Sequence, residues 1–181
     1  MDSTTLQSQA ARIRLVVLDV DGVLTDGSIW TGPDGEAVKR FYTRDGLGIK
    51  LLQSAGIPVA ILTGRLSKQT ASRAAELGIK AVMQGKTFKG DAFKELTQSF
   101  GLGDEEVAYM GDDIPDIPPL KAAGLAACPA DAASEVLPLA DFVSSAPGGN
   151  GAVRSLAELI LRAQNRWDDL VNRYYVQGES L

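Results

Sequence analysis

Short apolar runs punctuate the chain: "RLVVLDV", "IPVAILTG", "KAVMQG", "EVAYMGDD", "GLAACPAD" and "DFVSS". Each is long enough for one strand, and they are continuous rather than alternating, the pattern of strands buried on both faces of a parallel sheet. Between them, "DGLGIKLLQSAG", "SKQTASRAAELG", "KGDAFKELTQSFG" and "DIPPLKAAG" combine helix formers with a terminal glycine that stops a helix. Strand and helix in alternation predict a three-layer α/β/α sandwich with a parallel sheet.

Two segments break that rhythm. In "GSIWTGPDGEAVKRFYTRDG", the turn "GPDG" between two strand-like arms predicts a β-hairpin inserted at about residues 26–43, directly after the first strand. From Pro147 to Leu181 the chain reads as a loop "PGGNG", a helix "AVRSLAELILRAQ" and an amphipathic end. In that end Trp167, Leu170, Val171, Tyr174 and Tyr175 recur at spacings that place them on one helical face. There is no internal repeat, and 181 residues fit one domain, 1–181.

Composition narrows the chemistry. A net charge of -5 argues against broad nucleic-acid binding. The opening "MDSTTLQSQAARIR" has no apolar signal core and no later run is long enough to span a membrane, so the expectation is a cytoplasmic protein without a membrane partner. Cys128 is the single cysteine, which excludes an intrachain disulfide and a cysteine-rich zinc site and leaves it as a small buried residue. The chain has no histidine, so serine–histidine triads, cysteine–histidine dyads and imidazole-held metals are excluded together. Acid–base work falls to Asp, Glu, Lys, Tyr or water, and carboxylates with water suit a hard cation such as Mg²⁺.

In open parallel sheets, ligands bind beyond the carboxyl ends of the strands. The first strand ends in Asp19 and Asp21, the second in Thr63, Gly64 and Arg65, and the fourth in Gly111, Asp112 and Asp113, while Lys89 follows the third at a helix start. Each piece alone has a plainer role: Asp-x-Asp as a turn, "TGR" as a helix N-cap, "GDD" as a turn, Lys89 as a solvated helix residue. An EF-hand is excluded, since Val23 and Trp30 would fall at two of its ligand positions. Like charges beside an apolar core repel one another and persist where a cation holds them.

Taken together over residues 15 to about 145, "LDVDGVLTD", "LTGR", Lys89 and "MGDDIPD" resemble the haloacid dehalogenase superfamily of phosphatases. Within it, "YTRDGLGIKLL", "ILTGR", "AYMGDDIPD" and "GGNGAVRSLAELIL" are most similar to the family of 3-deoxy-D-manno-octulosonate 8-phosphate (KDO 8-phosphate) phosphatases. The resemblance implies a Rossmann-like core and a Mg²⁺-dependent hydrolysis of a phosphorylated acidic sugar through an aspartyl phosphate, in lipopolysaccharide precursor synthesis. It casts Asp19 as nucleophile and Asp21 as general acid/base. It places the cation among Asp19, the main-chain carbonyl of Asp21, and Asp112, with Asp113 and Asp116 as supporting acids. Thr63 and Lys89 would stabilise the phosphoryl oxygens.

The hairpin, one helix and one strand fill the stretch from Asp19 to Thr63, and one helix and one strand fill that from Thr63 to Lys89, so no cap domain fits. A capless site is open to water unless another subunit covers it; the resemblance implies a homotetramer with central hairpins and with tails reaching adjacent sites. The plainer reading of residues 152 to 163 is a final helix packed on its own sheet. Arg65, Arg44, Lys68 and Arg154 are the cations available to an acidic sugar. A solvated helix face is the ordinary role of Lys68, an ion pair that of Arg73, and the start of the hairpin that of Asp26. Three other readings compete: a phosphatase of another nonulosonic acid phosphate such as KDN 9-phosphate, a phosphomutase, and a non-catalytic oligomerisation module of the same fold. The missing cap argues against the mutase, and the presence of Asp19 and Asp21 against the module.

Overall fold

The computed structural model describes residues 3–33 and 35–178. Six parallel strands form the central sheet: β1 (Leu15–Leu18), β4 (Val59–Leu62), β5 (Ala81–Met83), β6 (Val107–Met110), β7 (Leu125–Cys128) and β8 (Phe142–Val143), in the order β5-β4-β1-β6-β7-β8. A separate antiparallel pair, β2 (Trp30–Gly32) and β3 (Gly35–Val38), is the expected hairpin. Asp34, in its "GPDG" turn, lies outside the described residues.

The continuous apolar runs are explained by two cores, one on each face. Val16 and Leu18 face one side with Val59, Ile61, Ala108 and Met110; Leu15 and Val17 face the other with Ala60, Leu62, Val107 and Tyr109. On the first side lie α1 (Ser3–Arg12), α2 (Thr43–Ser54), α3 (Lys68–Leu77) and α6 (Ala152–Ala163); on the second lie α4 (Lys89–Ser99) and α5 (Ile117–Ala122). A short helix α7 (Trp167–Val171) and a π-helical turn, Asn172–Val176, end the described chain. Among the described residues, no helix is long and apolar enough to cross a membrane.

The plainer reading of residues 152 to 163 holds. Val153, Leu156, Ala157, Ile160 and Leu161 are buried in the chain's own core, and α6 packs along α2 and α1. The signature "RDGLGIKLL" makes that contact possible. The Asp45 carboxylate accepts from the main-chain N–H groups of Gly151 (3.1 Å) and Arg154 (2.8 Å) at the start of α6, and a Cβ at Gly48 would stand 3.1 Å from Arg154 Cα. The apolar face of the tail is covered only in part. Trp167 and Leu170 are buried, Val171 and Tyr174 are partly covered, and Tyr175 is exposed.

The "PGGNG" loop closes on backbone. Gly149 N–H donates to Val23 O (2.9 Å), and a Cβ at Gly148 would lie 1.8 Å from Gly22 O. Its glycines therefore serve close approach to the loop that follows β1.

Candidate active site

The chain leaves the carboxyl end of β1 beside β4 and β6, which are reached by crossovers on opposite faces, and so opens a crevice there. Asp19 is fixed at that edge: its N–H donates to Met110 O (3.0 Å), extending the β1–β6 ladder. Thr63 N–H likewise donates to Met83 O (2.9 Å) at the end of β4. A cavity of about 310 Å³ lies over these ends, lined in part by Asp19, Asp21, Thr63, Arg65, Lys89 and Asp112. A larger recess, about 810 Å³, lies at the opposite edge of the sheet, but its Arg14–Glu106 pair (2.9 Å) is solvent-facing and offers no convergent buried acid or base.

Lys89 is buried between two carboxylates, 2.8 Å from Asp19 Oδ2 and 2.6 Å from Asp116 Oδ1. Burial alone would lower its pKa, and the two carboxylates more than reverse that, so it stays charged. Asp116 spends all its acceptors internally. Its Oδ1 also takes the Tyr109 hydroxyl (2.6 Å), and its Oδ2 takes the main-chain N–H groups of Asp112 (3.0 Å) and Asp113 (3.2 Å). Asp116 is thus the anchor of the "GDDIPD" loop, whereas Asp113 accepts from Ile114 N–H (2.7 Å) and caps the turn.

Asp19, Asp112 and Asp116 offer oxygens within 4.8 Å of one another. With Asp116 saturated, Asp19 Oδ1 and Asp112 Oδ1 are left buried without a hydrogen-bond partner among the described residues. Two partnerless carboxylate oxygens on acids of one buried cluster are a poor arrangement for anything except a cation. Burial and the neighbouring carboxylates raise the Asp112 pKa to about 8, and burial with Asp116 raises that of Asp19 to about 6 against the pull of Lys89. An all-oxygen donor set of this kind fits Mg²⁺. Gly22, at φ +87, makes room for the Asp112 carboxylate: a Cβ there would stand 2.0 Å from Asp112 Oδ2.

The Asp21 carboxylate is not part of that cluster. It turns away to Lys39 and, at 3.6 Å, to Arg65 Nε. Of the four cations read from the sequence, Arg65 lines the cavity. Arg44 and Lys68 are exposed outside its lining, and Arg154 pairs with Glu158 (2.7 Å) and lies over the Trp167 ring at 4.9 Å. Arg73 pairs with Glu76 (2.7 Å), Asp26 accepts from Ser28 N–H (3.0 Å) at the entry to the hairpin, and Cys128 is buried.

Tyr109, Lys39 and Glu36 are site residues that the sequence reading passed over. Tyr109 stands two residues before "GDD", where a hydroxyl inside a buried run needs a polar partner. Lys39 and Glu36 reach the site through the hairpin fold and carry no local signal.

A sequence profile of haloacid dehalogenase-like hydrolases matches residues 44–124. The chain is 44% identical over 167 residues to the 3-deoxy-D-manno-octulosonate 8-phosphate phosphatase KdsC of Escherichia coli K12, covering 92% of this chain and 89% of that protein. The crystal structure of the 3-deoxy-D-manno-octulosonate 8-phosphate phosphatase of Yersinia pestis superposes with a TM-score of 0.89 at 44% identity, covering 91% of this chain and 89% of that one. The enzyme of the same name from Moraxella catarrhalis, in complex with a magnesium ion, a phosphate ion and KDO, superposes with a TM-score of 0.93 at 38% identity, covering 96% and 99%.

Proposed function

The chain belongs to the haloacid dehalogenase-like hydrolases, in the family of 3-deoxy-D-manno-octulosonate 8-phosphate phosphatases, and from that membership we propose the residue roles that follow. It is a Mg²⁺-dependent phosphoric monoester hydrolase that converts 3-deoxy-D-manno-octulosonate 8-phosphate to the free sugar acid and phosphate. The observation that carries the reaction is the pair of partnerless oxygens on Asp19 and Asp112 beside buried Lys89.

Asp19 and Asp112 would hold the cation, with the Asp21 main-chain carbonyl. When bound, Mg²⁺ neutralises carboxylate and phosphate dianion so that the two can approach. Asp19 attacks phosphorus in line and becomes an aspartyl phosphate as the bond to the sugar oxygen breaks. Lys89 and Thr63 bind the phosphoryl oxygens where charge builds up, and Lys89 is already held there by Asp116. Asp21 gives its proton to the departing sugar oxygen, then takes one from the water that releases phosphate. Arg65 is the cation of this chain's own site suited to the sugar carboxylate. The same membership supports a cytoplasmic homotetramer serving lipopolysaccharide precursor synthesis. Ile29, Trp30 and Val38 of the hairpin, each about half exposed, are the surface another copy would cover.

The test is a phosphate-release screen across phosphorylated sugar acids with and without Mg²⁺. Preference for the eight-carbon acid supports the reading, and preference for a nine-carbon acid phosphate overturns its choice of sugar. For Asp21→Asn we expect a loss of ~10²–10³-fold on the sugar phosphate and less than ~10-fold on an aryl phosphate, whose leaving group needs little protonation. Equal losses on both would remove Asp21 from the acid role.

A further inference from the structure

The Lys39 side chain is 1% exposed, although it immediately follows β3 of a hairpin outside the main sheet. Its ammonium is spent on two carboxylates, Asp21 Oδ1 and Glu36 Oε2, the latter at 3.2 Å. Glu36 also faces Arg65 (3.4 Å) and accepts from the Ser67 hydroxyl, and these partners hold its carboxyl below the ordinary range in spite of burial. Gln69 Nε2 donates to Glu36 O (3.0 Å) and Ala37 O (3.1 Å), pinning β3 to the start of α3. The hairpin therefore docks in one place and delivers one buried cation.

The other end of that contact is a side chain with little else to hold it. Asp21 follows the end of β1 and precedes Gly22, at φ +87, and the partners of its carboxylate among the described residues are Lys39 and Arg65. Arg65 is 45% exposed, lines the cavity and divides its guanidinium between Glu36 and Asp21, whereas the Lys39 side chain is buried and stands outside that lining. A proton donor must be held to a fraction of an ångström to act on a leaving oxygen.

We infer that Lys39 is the positioning residue for Asp21, so that docking of the hairpin and proton transfer to the leaving group are one linked state. The inference rests on the acid/base role proposed above for Asp21. Lys39 touches neither phosphate nor sugar; it acts by fixing the carboxylate that does.

The test compares Lys39→Met, Asp21→Asn and the double variant on the octulosonate 8-phosphate, on a simple alkyl phosphate and on an aryl phosphate, all with Mg²⁺. Lys39→Met is expected to lose ~30-fold in kcat on the first two with KM little changed, and less than ~3-fold on the aryl ester. The double variant should be no slower than Asp21→Asn, because nothing remains for Lys39 to position. Lys39→Arg, which keeps the charge, should recover most of the loss. If Lys39→Met does not fold, Glu36→Gln is read instead, with the same contrast expected at smaller size. Three results overturn the inference: equal losses on alkyl and aryl esters, losses that multiply in the double variant, or a raised KM with kcat unchanged, which would make Lys39 a substrate cation. The alkyl ester keeps the two readings separate. A wild-type protein active on simple esters but inert toward the sugar phosphate would sink the choice of sugar and leave the Lys39 contrast readable.

Discussion

Asp19→Asn is expected to abolish phosphate release, with a loss of at least ~10⁴-fold in kcat on sugar and aryl phosphates alike, the scale on which nucleophile removal acts elsewhere. Unlike Asp21, Asp19 serves every substrate, because the bond it forms to phosphorus is common to all of them. The amide is a poor nucleophile and a weaker donor to a cation. The change is nearly isosteric, and Asp116 still holds Lys89 at 2.6 Å, so the fold should survive; circular dichroism would verify that. Full turnover by the folded, purified Asn variant would remove Asp19 from the chemistry and with it the aspartyl phosphate.

Much of this was legible in the chain because a parallel sheet converts local pattern into long-range position. Val16 and Leu18 pack on one face and Leu15 and Val17 on the other, so β1 had to read as an unbroken apolar run, and its carboxyl end had to be where Asp19 emerges. The same logic found Thr63, Lys89 and Asp112. Helix α1 was missed because "STTLQSQAAR" is polar nearly throughout; its signal is the spacing of Leu6, Ala10 and Ile13, which turn toward the core. What local pattern could not supply for the segment beginning at Pro147 is its anchor, Asp45, which reaches across 106 positions to the start of α6. The grip of Lys39 on Asp21 was hidden for a related reason. It depends on where a hairpin docks, and that is set by Gln69 and Ser67 on another element, not by anything adjacent in sequence.

The charged cluster also makes stability depend on the cation and on pH in a direction that can be worked out. Asp112 has an ordinary carboxyl pKa of 3.8 when unfolded and about 8 in the metal-free fold, raised by burial and then by Asp19 and Asp116. An acid that holds its proton more tightly when folded contributes stability that is fully present below the unfolded pKa and is lost as pH rises through the folded one. The metal-free protein should therefore lose stability from about pH 4 to about pH 8, with Asp19 contributing in the lower part of that range. Since Asp112 is only partly buried, the expected change is a fraction of the full electrostatic difference, about 2 kcal/mol. That corresponds to ~5 °C in Tm at ~2–4 °C per kcal/mol for a chain of this size. Mg²⁺ should restore Tm most strongly at the alkaline end, where protons no longer compete for the carboxylates. Asp112→Asn removes one of the like charges and one of the two partnerless oxygens. It should flatten the pH dependence, raise the metal-free Tm near pH 8 and abolish the Mg²⁺ shift, while lowering kcat/KM by ~10³-fold or more. Thermal melts at pH 5, 6.5 and 8, with EDTA or with Mg²⁺, decide it. A wild-type Tm that ignores Mg²⁺ at pH 8, or an Asn variant that still responds to it, would mean the cation sits elsewhere than between Asp19 and Asp112.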